Sequence, residues 1–174
     1  GDNPFLSPIL PLSLPAIVCY DWAHCYLQQG VAVVEIEVLL GLLERHAGLG
    51  VPALHGYLGS WAWPKSYADA KSLCAKGRVN GSMSEYLSLM PVLQEFLLQV
   101  VPRGKCPAAV ASAIALCETL ELLSRCARPG AVRGLDLEPA VARHMQLQQA
   151  AYQKGCAIPK SHFALHLAES LDKS

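Results

Sequence analysis

Apolar residues recur along most of this chain at intervals of three and four, the spacing that lays one stripe along the side of a helix. From Asp21 to about Ala47 the stripe runs through Leu27, Val31, Val34, Val38 and Leu42, widened by Leu39 and Leu43, and predicts one long central helix. Asp21 can serve as its N-cap, and Gly48 with Gly50-Val51-Pro52 is a strong stop. Residues 48–65 crowd Gly50, Pro52, Gly56, Gly59 and Pro64 around Trp61 and Trp63, which reads as a loop pinned by aromatic burial. Residues 65–76 read as a short polar helix ending near Gly77, before an Asn80-Gly81 turn. Ser82-Met83-Ser84-Glu85 has the spacing of a capping box and opens a helix to about Val101 on Tyr86, Leu89, Leu93, Phe96, Leu97 and Val100. Pro91 within it predicts either a kink or a junction of two shorter helices. Pro107 can begin the next segment, which runs to about Ala127 on Val110, Ile114, Cys117, Leu120 and Leu123. Asp136 can cap another, carrying Leu137, Val141, Met145 and Tyr152, and a last helix follows Pro159 with Phe163, Leu167 and Leu171.

Ahead of these segments, Pro4, Pro8, Pro11 and Pro15 make residues 1–15 an extended, apolar lead-in. Residues 16–20, Ala-Ile-Val-Cys-Tyr, are the one plausible strand. The expected fold is therefore mostly α, about five main helices with one short N-terminal strand, with residues 16–174 forming a single helical domain.

Composition sharpens this in three ways. A hydrophobic share of 52% against 16% charged supplies a core and argues against disorder. Fourteen basic and fourteen acidic residues leave no net charge, so a nucleic-acid role has to be local or supplied by another segment. The most apolar runs, 31–43 and 107–117, are short for a membrane span. The first residues, Gly1-Asp2-Asn3-Pro4, lack an initiator Met and a basic leader, which suggests a processed product or a fragment of a longer, intracellular protein. Seven scattered cysteines with no CxxC read as reduced, buried thiols.

Candidate chemistry gathers at two places. Asp21 and His24, three apart at a helix start, share a face on which a carboxylate and an imidazole can hold a divalent metal; a plain N-cap explains the same aspartate. His162 and His166 are an i,i+4 pair able to chelate a transition metal, without the Glu that makes HExxH a protease motif; a structural pair is the alternative. Glu118 and Glu121 suit an exposed helix face, and Trp61 and Trp63 suit core anchoring more than base stacking. No Gly-rich phosphate loop and no GxSxG element is present.

Taken together, two of these motifs resemble a known family. Asp21-Trp22-Ala23-His24, continued by Cys25-Tyr26-Leu27-Gln28-Gln29-Gly30-Val31, resembles the segment around the second catalytic aspartate of eukaryotic cut-and-paste transposases, the CACTA and Kyakuja–Dileera–Zisupton groups in particular. Ile158-Pro159-Lys160-Ser161-His162-Phe163-Ala164-Leu165-His166-Leu167 resembles their downstream "PK-x-H-x-x-x-H" segment, in the same order and with a helical stretch between. The resemblance implies an RNase H-like nuclease fold whose three acidic groups hold Mg²⁺ or Mn²⁺ for DNA strand transfer. It would make Asp21 the second acidic ligand, His24 its motif partner, and Pro159, Lys160, His162 and His166 the downstream structural motif.

DNA would be the partner of the full-length protein, in the nucleus. The family's first aspartate has no counterpart here, and Glu118, Glu121 and Glu169 are candidates for the third acid. The isolated chain is therefore expected to be inactive. Two alternatives stay open: a helical protein-interaction module without catalysis, and a small metal-binding domain using Asp21, His24, His162 and His166.

Overall fold

A computed structural model describes residues 22–63, 72–125, 134–153, 156 and 158–167. They form seven helices and, among the described residues, no strand: α1 (Trp22–Tyr26), α2 (Val31–Ala47), α3 (Val51–Ser60), α4 (Met83–Gln99), α5 (Pro107–Arg125), α6 (Gly134–Tyr152) and α7 (Pro159–Leu165). The chain is mostly α. The expected strand at 16–20, the lead-in at 1–15 and most of the expected helix at 65–76 lie outside the described residues.

The long helix expected from Asp21 onward is two helices. Gln29 adopts the left-handed conformation (φ 49°), and Gly30 comes next in extended geometry, so the chain turns between α1 and α2. The turn depends on Gly30 because a Cβ there would lie 2.2 Å from the Cys25 carbonyl oxygen, deep inside contact distance. At its other end α2 stops as the sequence predicts. Gly48 is left-handed (φ 66°), its N–H donates to the Glu44 carbonyl, and the Leu49 N–H donates to that of Leu43, closing the helix with a left-handed cap. The Glu44 carboxylate then accepts from the Gly50 N–H at 2.7 Å, tying this end to the start of α3.

α3 is a correction to the expected loop. Pro52 sits in the first turn, where a missing N–H costs nothing, and Leu54 and Leu58, one turn apart, are fully buried. Their burial outweighs the low helix propensity of Gly56 and Gly59. The tryptophans do pin the carboxyl end of this helix. Trp63 Nε1 donates to the Leu58 carbonyl at 2.8 Å, and Trp61 packs on Tyr57.

α4 opens on the expected capping box. Ser82 accepts from the Glu85 N–H, while the Glu85 carboxylate accepts from the Ser82 N–H and hydroxyl at 2.7 Å each. Those two bonds, the backbone one first, hold the Glu85 carboxyl below the usual carboxylate range. A depressed acid stabilises the fold above its unfolded pKa and loses that contribution as pH falls through its folded pKa. Ser82→Ala is therefore expected to cost about 1 kcal/mol near neutral pH. The cost should shrink as urea titrations are repeated towards about pH 3, below the ordinary carboxylate range.

Pro91 does not divide α4, which runs unbroken through it with the proline exposed. α6 begins at Gly134, so Asp136 lies in its first turn rather than capping it.

α5 is the central element, packed on α2, α4 and α6, while α3 rests on α4. Its inner face pairs small residues (Ala109, Ser112, Ala113) with Leu116, Leu120 and Leu123, which lets neighbouring backbones approach closely. By length and hydropathy alone, 22–47 and 107–125 could each cross a membrane, which revises the shorter runs read from sequence. The first is broken at Gly30, and about half of the most apolar 18-residue window of each (56% and 50%) is covered within the bundle.

Candidate functional site

The two sequence motifs meet. α7, which carries the downstream segment, packs against α1, which carries the upstream one. Lys160 Nζ donates to the Gln28 carbonyl, joining residues 132 positions apart. Lys160 is the lysine of the downstream motif, and Gln28 lies in the turn that ends the upstream one. Ala164 is buried in this contact region, and the Ile158 N–H donates to Ser161 Oγ at the start of α7.

The candidate site residues do not all gather at this junction. Asp21 lies outside the described residues, as does Glu169. His24 is exposed on α1. His162 is exposed and His166 half-buried, their rings edge to face with centroids 4.9 Å apart. Among the described residues, no three His, Cys, Asp or Glu side chains converge as a metal would need. Glu118 and Glu121 are engaged in ion pairs at the surface, with Arg143 at 2.6 Å and with Arg125 respectively. Such exposed pairs contribute little to stability.

A second constellation is one that the sequence does not announce. Glu35, in the second turn of α2, is fully buried, and its carboxylate is met by three polar side chains from two other helices. Ser112 Oγ of α5 donates to Oε1 at 2.6 Å; His144 Nε2 and Gln148 Nε2 of α6 approach Oε2 at 2.7 and 2.8 Å. With the His144 proton on Nε2, all three contacts are donor to acceptor. Thr119 extends the polar seam, donating to the Ala115 and Ala140 carbonyls between α5 and α6.

Serine, histidine and glutamate in one cluster invite comparison with a hydrolytic triad, but the wiring differs. A triad needs the nucleophile bonded to the base and the base oriented by the acid. Here Ser112 and His144 both bond to the same carboxylate, not to each other, and all three residues are shut off from solvent. Nearby thiols are no better placed as nucleophiles. Burial first, and the Glu35 charge second, push Cys117 up to about 12 and Cys156 up to about 11, so both stay protonated at neutral pH. Among the described cysteines, Cys25, Cys74, Cys117 and Cys156 are buried. The Glu35 set is a polar core that fixes three helices in register.

The sequence holds one signal for it. Glu35 falls within the inward stripe of α2 (Ala32, Glu35, Ile36, Leu39), and His144 and Gln148 continue the stripe of Leu137 and Val141 towards Tyr152. Charged or polar residues at core positions of three separate helices ask for one another as partners. Comparison with models of known protein families, with curated proteins and with solved structures finds no match to this chain.

Proposed function

We propose that this chain is a transposase-like segment, comprising the second-aspartate motif and the helical insertion of an RNase H-like nuclease, and that it is not catalytic by itself. In this reading Asp21 is one of three acidic ligands for Mg²⁺ or Mn²⁺, and His24 is its motif partner. The metal would polarise the scissile phosphate and activate the attacking oxygen. The remaining acids would come from elsewhere in a longer DNA-binding protein.

The observation that carries this reading is the docking of α7 on α1, with Lys160 bonded to Gln28. Two short motifs matched independently along the sequence are neighbours in space, as parts of one site have to be. The long α2–α6 stretch between them then behaves as an insertion hung from that site. Its buried polar core supports a rigid scaffold, which also suits the second reading, a helical interaction module without chemistry.

Cleavage of duplex DNA by the full-length protein with Mn²⁺ tests the proposal. Activity should fall to background in Asp21→Ala; cleavage that survives the substitution would overturn the assignment. Calorimetric titration of the isolated chain separates the other readings. Zn²⁺ binding kept by Asp21→Ala but lost in His162→Ala would point to a small metal-binding domain. Absence of both DNA cleavage and metal binding would leave the interaction module.

A further inference from the structure

Once the Glu35 carboxylate is satisfied, two polar atoms beside it are left over. Tyr26 Oη on α1 and His144 Nδ1 on α6 are both shut off from solvent, and neither has a hydrogen-bond partner among the described residues. They belong to neighbouring rings, with centroids 6.0 Å apart and planes inclined at 36°. Both residues are 0% exposed. Folded interiors leave few such atoms unpaired, so two on adjacent rings call for one shared partner.

The chemistry of the pair limits what that partner is. In the neutral ring with its proton on Nε2 facing Glu35, His144 offers Nδ1 as an acceptor. Burial and the Glu35 charge push the Tyr26 phenol well up, so it keeps its proton and serves as a donor. The bridging species therefore accepts from one atom and donates to the other. The nearby Glu35 carboxylate disfavours an anion. A single water meets all of these conditions.

The geometry points to an internal water site bridging Tyr26 Oη and His144 Nδ1, which extends the Glu35 network to α1. The first motif helix is then held by the same polar core that fixes α2, α5 and α6. This inference does not rest on the transposase reading and is tested without any activity.

A crystal structure at a resolution that orders internal waters, for the wild type and for Tyr26→Phe, is the direct test. A density peak is expected within about 2.7–3.2 Å of both atoms in the wild type. It should be absent from the variant, in which the phenyl ring still fills the core. In urea titrations Tyr26→Phe should lower the folding equilibrium constant roughly threefold to tenfold. Ordered rings with no water between them, or a direct bond from Tyr26 Oη to a protein acceptor, would overturn the site. So would a Tyr26→Phe variant as stable as the wild type.

Discussion

Glu35→Ala is expected to destabilise the fold by about 3–5 kcal/mol, a large part of the roughly 5–15 kcal/mol that holds an ordinary domain together. The loss comes less from the bonds removed than from what they leave behind. Ser112 Oγ, His144 Nε2 and Gln148 Nε2 all aim at the same carboxylate, and without it three donors stay buried with no acceptor. Each such group costs on the order of 1–3 kcal/mol, and partial relaxation keeps the total below their sum. Urea denaturation should show the loss as a lower midpoint at unchanged slope.

A companion variant separates this cause from a simple cavity. Replacing the whole set, with Glu35→Met, Ser112→Ala, His144→Leu and Gln148→Leu together, removes all three orphaned donors and should recover most of the lost stability. If the fourfold variant is no more stable than Glu35→Ala, the orphaned-donor account is wrong and the network stabilises by its bonds.

Phe96→Ala is the second large effect, again about 3–5 kcal/mol, by an apolar mechanism. Phe96 is fully buried on α4, and its ring lies 5.4 Å, centroid to centroid, from Tyr57 on α3. Removing it takes away both transfer energy and the contact that seats α3. Leu98, two residues on and 56% exposed, is the control, since Leu98→Ala should change stability by no more than about 0.5 kcal/mol. Thermal unfolding of both variants checks the pair. Comparable losses at Phe96 and Leu98 would mean that α4 faces the core differently.

How legible each feature is in the sequence depends on the range of the interactions that make it. The Ser82–Glu85 box and the Gly48 stop are legible because every partner lies within six residues. The start of α5 at Pro107 is equally local. α3 is not legible, because Gly56, Gly59 and Pro52 look like loop residues, whereas the deciding term is the burial of Leu54 and Leu58 against α4. The break at Gly30 is hidden by an apolar stripe that continues across it. A close approach of the Gly30 backbone to Cys25 leaves no periodic trace.

Glu35 is the feature least visible in the sequence. It stands there as a charge interrupting an apolar run, and its partners are 77, 109 and 113 residues away. On α6 the apolar period runs through Met145, which is half-buried, while its neighbour His144 is the fully buried one. At the motif junction, sequence order supplies the two segments and the fold supplies their contact. Asp21, the residue on which the proposed chemistry turns, lies just ahead of α1 and outside the described residues.

The Lys160–Gln28 tie also bears on how this chain can change. A chain that leaves a point and returns to it after 132 residues forms a closed excursion. Such an excursion can lengthen or shorten in its connecting loops without moving either end. The connections between Gln28 and Lys160 are thus free to vary in length so long as the Glu35 core and the seam where the excursion begins and ends stay intact.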